Sequence, residues 1–246
     1  MTRIGLISDV HANLPALEAV LDALSKRGVE RIVCCGDLVD YAPWPIEVIS
    51  RLQTMDVLCV QGNHDAAAAG IFPIDGFAEE ARATVDWTRA ILSSNETRFL
   101  AGLEQTHTEE NFVMVHGSLR GPLWEYVRDP FVAGESLALL SRPLGFFGHS
   151  HIQGGFMRVS GQVKGIDPQK ELHILPDGKY LVNPGSVGQP RDGDPRAAYA
   201  VIDFDHDRNL ARVTFERVSY DIAAVMRAID RAGLPHWLAQ RLEVGR

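Results

Sequence analysis

Side chains that commonly bind metal ions follow five separate apolar runs of this chain. The five segments are Asp9-Val10-His11, Gly36-Asp37, Gly62-Asn63-His64-Asp65, His116-Gly117 and Gly148-His149-Ser150-His151. Aspartate, asparagine and histidine offer oxygen and nitrogen donors, and no cysteine lies in these segments. That donor set suits manganese, iron, zinc or magnesium better than a thiolate zinc site. Together the segments predict a metal site built from oxygen and imidazole ligands.

The elements that position these side chains are predicted to be buried strands. Each segment follows a short apolar run, and the runs lie at residues 4–7, 31–35, 57–60, 112–115 and 144–147. Such runs are typical of strands buried on both faces. Ligands in open α/β sheets gather beyond the carboxyl ends of the strands. We therefore expect the five strand ends to converge on one site.

The number of donors indicates two ions rather than one. Three oxygen donors and four imidazoles are available: Asp9, Asp37 and Asn63, with His11, His116, His149 and His151. Seven ligands suit two ions that share one carboxylate and lie about 3.5–4 Å apart. Residues i and i+2 of an extended chain point to the same side, so Asp9 and His11 can face one ion together. His149 and His151 can serve the same ion or one ion each.

The pattern D-x-H, GD, GNHD, H and GHxH resembles the calcineurin-like metallophosphoesterases over residues 4–151. The downstream segment Asn183-Pro184-Gly185-Ser186-Val187-Gly188 is similar to the small bacterial and archaeal phosphodiesterase branch of that family. The resemblance implies an α/β fold in which two mixed β-sheets pack face to face, with helices outside. In this four-layer sandwich the metals lie at the strand ends.

The resemblance also implies roles for the individual residues. Asp9, His11, Asp37 and His151 would hold one divalent ion, and Asp37, Asn63, His116 and His149 would hold the other. Manganese is the expected metal, with iron, nickel, zinc and magnesium as alternatives. His64 would contact the phosphate and protonate the leaving group, while a hydroxide bridging the two ions attacks in line. Asn63 and His64 would help to bind the substrate.

The implied activity is hydrolysis of small phosphodiesters, and other activities stay open. The alternatives are a phosphomonoesterase, a dinucleoside polyphosphate hydrolase and a non-catalytic binding scaffold of the same fold. Protein Ser/Thr phosphatases of the family show GDxxDRG and GNHE, whereas this chain has Tyr41 after Asp40 and Asp65 after His64. That difference argues against a phosphoprotein substrate.

Several further residues have two interpretations each. Arg120 and Arg191 could bind phosphate oxygens through a bidentate guanidinium, or could form surface ion pairs with neighbouring carboxylates. Asp40 could orient a ligand histidine, but a loop carboxylate is the favoured interpretation. Trp124 and Tyr126 could stack on a base or pack locally.

The composition favours one enzyme domain over residues 1–246. The 246 residues are 46% hydrophobic, enough for a substantial core. The net charge of −8 argues against long nucleic acid but not against a small phosphate ester, because divalent cations reverse the local field. No apolar stretch predicts a membrane span, and three cysteines without CxxC spacing favour a reducing cytoplasm. A homo-oligomer is left open.

The rest of the pattern predicts elements around the site. A helix beginning near Asn13 completes a βαβ unit over residues 4–35. Two helices are expected over 76–103 as a lid or wall of the site. After His151 the pattern predicts strands at 155–159, 172–175, 180–182, 198–204 and 210–218, interpreted as the second sheet, and a closing helix over 221–232.

Overall fold

The computed structural model describes residues 2–175, 177–205 and 210–246, and its strands form two six-stranded mixed sheets. The first sheet has the order β3 (Leu58–Cys59), β2 (Arg31–Cys34), β1 (Thr2–Ile7), β11 (Ala197–Asp205), β12 (Leu210–Val218) and β9 (Leu172–Ile174). The second sheet has the order β4 (Thr106–Thr108), β5 (Phe112–Val115), β6 (Leu144–Phe146), β10 (Lys179–Pro184), β7 (Gln153–Val159) and β8 (Gln162–Ile166).

The helices of the described residues lie outside the sheets or around the site. They are α1 (Leu14–Lys26), α2 (Pro45–Thr54), α3 (Asn63–Ala68), α4 (Glu79–Ile91), α5 (Ser94–Ala101), α6 (Pro130–Leu139), α7 (Ile222–Arg231) and α8 (His236–Val244). The predicted pair of helices within 76–103 corresponds to α4 and α5, and the predicted closing helix corresponds to α7. None of the helices in the described ranges has the length and hydropathy that crossing a membrane requires.

The main core lies between the two sheets. Leu6 of the first sheet and Phe112 and Phe146 of the second belong to one buried apolar cluster, and the two phenylalanine rings are 4.9 Å apart. The opposite face of β1 packs against α1, where a Cβ on Gly5 would lie 2.9 Å from the Leu24 side chain. Side chains alternate along a strand, so β1 serves both layers at once. The predicted fold of two packed mixed sheets with flanking helices is confirmed.

One part of the predicted topology is wrong. The strands after His151 do not form the second sheet by themselves, because β9, β11 and β12 belong to the first sheet. β11 pairs antiparallel with β1, with Leu6 opposite Ala200 and Thr2 opposite Phe204. Only β7, β8 and β10 join the second sheet, which already contains β4, β5 and β6. Apolar alternation marks a strand but carries no information about its partner, so these two groups looked alike in sequence.

Candidate metal centre

The site lies where the two sheets meet at the carboxyl ends of their strands. Asp9, Asp37 and Asn63 follow β1, β2 and β3 of the first sheet. His116 follows β5, and His149 and His151 follow β6, in the second sheet. All of these side chains are buried. Each sheet therefore supplies part of the same cluster of donors.

The loops that carry the donors have an uncommon backbone conformation. Five of the candidate ligands lie at positive φ: Asp9 at 53°, His11 at 47°, Asp37 at 56°, His149 at 65° and His151 at 58°. Left-handed backbone is disfavoured for residues with a Cβ, although Asp and His tolerate it better than most. Such conformations persist where the surrounding structure holds them, and they concentrate at functional sites.

A first group of donors consists of Asp9, His11, Asp37 and His151, whose ligand atoms all lie within 4.8 Å of one another. His11 Nε2 is 3.1 Å from His151 Nε2 and 3.6 Å from Asp37 Oδ2. His151 Nε2 is 3.3 Å from Asp9 Oδ1. These four side chains could hold one cation.

A second group of donors contains Asp37, His116 and His149, also within 4.8 Å of one another. His116 Nε2 is 3.1 Å from His149 Nδ1 and 3.3 Å from Asp37 Oδ2. It is also 3.1 Å from Asn63 Oδ1. Asp37 Oδ2 therefore faces both groups, as a carboxylate shared between two cations would.

The tautomers of the four histidines fit a cation between them. His11 Nδ1, His116 Nδ1 and His151 Nδ1 lie 3.1, 2.7 and 2.6 Å from the carbonyl oxygens of Val39, Cys35 and Gln189. His149 Nε2 lies 3.3 Å from the carbonyl oxygen of Trp124. A carbonyl oxygen only accepts, so each of these nitrogens carries a proton, and in a neutral ring the other nitrogen presents a lone pair. His11 and His151 both have a lowered pKa, so their facing lone pairs 3.1 Å apart cannot bond to each other, whereas both can bind a cation. His116 Nε2, 3.1 Å from His149 Nδ1, can bind a cation once its ring has lost the second proton.

The electrostatics of the site also favour positive charge at its centre. Asp9 Oδ2 and Asp37 Oδ2 are buried and have no hydrogen-bond partner among the described residues, and such groups are costly unless a cation or proton compensates them. Burial raises the pKa of Asp9 to about 7. Burial would lower the pKa of His116, but the charge and hydrogen bond of Asp37 and the charge of Asp9 together outweigh burial and raise that pKa to about 9.

The other three histidines are neutral and ready to act as ligands. Burial lowers the pKa of His11, of His149 and of His151 well below the ordinary value. A metal-binding imidazole must be unprotonated on the ligating nitrogen. The donor chemistry, the orphaned carboxylate oxygens and the neutral imidazoles therefore agree with divalent metal binding.

Asp65 fixes the backbone that carries Asp37. Its Oδ1 accepts a hydrogen bond from the Leu38 N–H at 2.8 Å, and its Oδ2 accepts from Asp37 N–H at 2.8 Å and Gly62 N–H at 2.9 Å. It thus joins the loops after β2 and β3. Sequence reasoning missed this role of Asp65. The position of Asp65 directly after His64, within the GNHD segment, was the sequence signal that could have indicated it.

The Asn183–Gly188 segment supports the other side of the site. Asn183 Nδ2 donates to the carbonyl oxygen of Gly148 at 2.8 Å and to Ser150 Oγ at 3.0 Å, beside His149. Gly188 N–H donates to the carbonyl oxygen of Asp9 at 3.0 Å. This segment therefore holds the loops of Asp9 and His149 without providing a candidate ligand.

His64 stands apart from both groups of ligands and is held by two polar partners. Its Nδ1 lies 2.8 Å from Asp40 Oδ2, and its Nε2 lies 3.1 Å from the Tyr41 hydroxyl. Burial alone would lower the pKa of His64, but the charge of Asp37 and the hydrogen bond to Asp40 outweigh burial and raise it. The interpretation of Asp40 as merely a loop carboxylate is wrong, because Asp40 is buried and lies within hydrogen-bond distance of His64.

The two arginines differ in their surroundings. Arg120 Nη2 lies 2.5 Å from Glu125 Oε1, and its Nη1 lies 3.7 Å from Glu135 Oε2. Its side chain is 43% exposed, so the surface ion pair describes it and the phosphate-binding interpretation is not supported. Arg191, in contrast, lines the cavity over the site and donates to Gln189 Oε1 at 2.8 Å.

A cavity of about 430 Å³ opens beside the candidate ligands Asn63 and His149 and beside His64. Its other walls are largely aromatic and cationic, and include Tyr41, Phe72, Phe77, Trp124, Tyr126, Arg191, Trp237 and Arg241. The Tyr126 ring stacks on His149 at 3.7 Å, so it packs locally.

Sequence reasoning missed the contributions of Tyr41 and of α8. The only sequence signal for α8 was the spacing of Trp237 and Arg241, four residues apart, which places both on one helix face.

Comparison with known proteins agrees with the fold and the site. Residues 2–207 match the calcineurin-like phosphoesterase superfamily domain. The chain is 33% identical to an uncharacterised protein of Methanocaldococcus jannaschii, over 100% of this chain and 99% of that protein. Phosphodiesterase YfcE of Escherichia coli is 26% identical over 83% of this chain and 89% of its own length. A crystal structure of a metallophosphoesterase from Sphaerobacter thermophilus is 38% identical, with a TM-score of 0.85 over 100% of this chain and 99% of that chain.

The chain therefore belongs to the calcineurin-like phosphoesterase superfamily. The family predicted from the five motifs is confirmed. As a member of that class, with a buried His/Asp cluster suited to divalent metals, it is a metal-dependent phosphoric ester hydrolase.

The close approach of Gly62 to Asp37 generates a testable prediction. A Cβ at position 62 would lie 2.0 Å from Asp37 Oδ1 and 2.3 Å from Asp37 N. Gly62→Ala should therefore displace Asp37, lower the free energy of unfolding by about 1–3 kcal/mol and reduce metal content. Denaturant unfolding and elemental analysis measure both effects. Gly165→Ala in β8 is the matched control, because its Cβ would meet nothing within 4 Å. Wild-type metal content in the Gly62→Ala protein would contradict this account.

Proposed function

We propose that this protein is a two-metal phosphodiesterase that hydrolyses small phosphodiesters. The observation that carries the proposal is the position of Asp37 Oδ2, 3.6 Å from His11 Nε2 and 3.3 Å from His116 Nε2. One carboxylate oxygen facing two separate groups of imidazoles supports two ions that share it.

The proposed ligand sets follow the two groups of donors. Asp9, His11, Asp37 and His151 would hold one divalent cation. Asp37, Asn63, His116 and His149 would hold the second. Manganese is the proposed metal. When bound, such ions lower the pKa of a water to near neutrality and offset the charge of the phosphate.

His64 is proposed as the general acid for the leaving group. With both ring nitrogens protonated, its Nδ1–H donates to Asp40 and its Nε2–H is available to the Tyr41 oxygen or to a departing alkoxide. The raised pKa of His64 favours the protonated form. Asp40 acts through His64. By accepting a hydrogen bond from Nδ1, it would hold the ring so that Nε2 lies near the Tyr41 hydroxyl. Tyr41 and His64 both line the cavity.

The cavity supports a diester rather than a monoester. Where the Ser/Thr phosphatases carry arginine after the second aspartate, this chain has Tyr41, which lies against His64. Arg191 brings a guanidinium to the same wall, so positive charge alone does not separate the two substrate types. The support for a diester is the space beside His64, where Phe72, Phe77 and Trp124 line room for a second ester group. The likeness to a phosphodiesterase of Escherichia coli is consistent with that choice.

The shared carboxylate is tested by metal stoichiometry. Asp37→Asn should weaken the occupancy of both ions, because an amide oxygen lacks the charge that two cations share. Asn63→Ala should mainly empty the site of His116 and His149. Elemental analysis after gel filtration measures the number of ions per chain. An Asp37→Asn protein that keeps two tightly bound ions would overturn the bridging assignment.

The role of His64 is tested by varying the leaving group. His64→Gln should lower the rate by about 10²–10⁴-fold for an alkoxide leaving group, which needs a proton. The loss should be much smaller for nitrophenolate, which departs without protonation. Single-turnover rates on both substrates, with metal content checked, make the comparison. Equal losses on the two substrates, or loss of metal from the variant, would show that His64 is not the acid.

The preference for diesters is tested directly. With manganese at neutral pH, kcat/KM should be higher for bis(4-nitrophenyl) phosphate than for 4-nitrophenyl phosphate. Both substrates release the same nitrophenolate, so the comparison isolates the second ester group. A monoester favoured by tenfold or more, about 1.4 kcal/mol of transition-state binding, would leave a two-metal phosphoesterase and rule out the diesterase assignment.

A further inference from the structure

Two consecutive residues of the loop after β2 hold the two ring nitrogens of His64. Asp40 Oδ2 lies 2.8 Å from Nδ1, and the Tyr41 hydroxyl lies 3.1 Å from Nε2. Both residues have left-handed backbone, with φ of 71° for Asp40 and 69° for Tyr41. Such conformations are uncommon for residues with a Cβ and persist where the surrounding structure holds them. This short segment therefore fixes a polar group at each end of one imidazole.

The His64 ring has little freedom to turn. It is 6% exposed, and the rings of Phe77 and His11 each lie 5.0 Å from it, the latter edge-on. A carboxylate only accepts, so Nδ1 carries the proton of the bond to Asp40, and turning the ring would break this charge-assisted hydrogen bond. Nε2 is therefore held towards Tyr41.

The Tyr41 hydroxyl lies between His64 and the cavity that both residues line. Its ring packs on the His11 ring at 4.4 Å, and the Arg191 guanidinium lies 5.9 Å from its centroid. A phenol hydroxyl has one proton and two lone pairs. When its oxygen accepts the Nε2–H of His64, its own proton is left for another acceptor. Among the described residues, no carbonyl or carboxylate oxygen accepts that proton, so a substrate oxygen in the cavity can.

We propose that Tyr41 passes the proton of His64 to the leaving group. As the P–O bond breaks, its electron pair goes to the leaving-group oxygen, which takes the hydroxyl proton of Tyr41. The Tyr41 oxygen takes the Nε2 proton of His64 in the same step. Tyr41 is unchanged at the end, His64 is a neutral imidazole that solvent protonates again, and the product is an alcohol. This inference rests on the proposed function, because it extends the role of His64 as general acid.

The alternative is direct donation from His64, and the position of Tyr41 opposes it. Hydrogen bonds weaken steeply away from the direction of the N–H bond, and the Tyr41 oxygen already accepts in that direction. A leaving-group oxygen would have to displace a hydroxyl whose side chain is buried. The two routes predict opposite effects of Tyr41→Phe. Loss of the hydroxyl interrupts the relay, whereas it would free the Nε2–H for direct donation.

The test compares methyl phenyl phosphate with methyl 4-nitrophenyl phosphate, two diesters that differ only in the leaving group. Phenolate needs a proton more than nitrophenolate does. With manganese-loaded enzyme, Tyr41→Phe should lower kcat/KM for the phenyl ester by about tenfold or more and keep the nitrophenyl ester within about threefold of wild type. His64→Gln should show the same selectivity. The double variant should lose no more than His64→Gln alone, because both residues act on one proton.

Tyr220→Phe is the matched control, because it removes a tyrosine hydroxyl outside the residues that line the cavity. That hydroxyl lies 3.4 Å from Asn13 Nδ2, and the variant should keep the wild-type ratio of the two esters. Thermal melting and elemental analysis verify that each variant is folded and loaded with metal.

The outcomes separate the relay from the proposed function. A rate on the phenyl ester equal to or above wild type in Tyr41→Phe would show that His64 reaches the leaving group directly. Equal losses on both esters, or losses that multiply in the double variant, would also overturn the relay. An unselective His64→Gln would refute the acid role together with the relay. A wild type that prefers monoesters would refute only the diesterase assignment, and phenyl phosphate with 4-nitrophenyl phosphate would then make the same comparison.

Discussion

The buried carboxylate of Asp37 is the constraint on which the site depends. It lies at the centre of both groups of donors, and one of its oxygens has no hydrogen-bond partner among the described residues. A buried negative charge is costly unless positive charge compensates it. His116 meets part of that requirement, because its raised pKa favours a positive charge beside Asp37. A cation held by the neutral imidazoles would supply more positive charge, and Asp65 fixes the backbone of the loop through three N–H donors.

The loops at the strand ends have a strained backbone, which lowers their local stability, where they position the candidate ligands. Five candidate ligands adopt left-handed backbone, at a cost of roughly 1 kcal/mol or more each. The compensation comes from the core between and around the two sheets, where residues such as Leu6, Phe146 and Val182 are fully buried. Half of the described non-glycine residues at positive φ are candidate ligands, and the regular strands that precede these ligands form much of the core.

Much of the fold and the centre could be predicted from the sequence because the signal is local. Short apolar runs followed directly by Asp, Asn or His mark both a strand and the side chain at its end, as in β1 with Asp9 and β6 with His149. The partner of a strand is a long-range property, so the membership of β9, β11 and β12 in the first sheet was not visible. The same limit applies to Asp40, which meets His64 across 24 positions, and to Arg241, which reaches the cavity from the far end of the chain. Arg120 shows the opposite case, since its position behind His116 allowed a site contact as well as a surface ion pair, and the structure has the ion pair with Glu125.

The donors come from both sheets, and this has a consequence for the molecule as a whole. Asp9 and Asp37 belong to one sheet and His149 and His151 to the other, and a Cβ on Gly148 would overlap Ser8 Oγ at 2.0 Å, so the two sets of loops are already in contact. A bound ion would act as a cross-link between the two halves of the sandwich, with its binding energy added to folding energy. The distance between the sheets, set by residues such as Phe112 deep in the core, therefore determines the spacing of the ligands. Substitutions in that interior would change metal affinity without touching a single ligand.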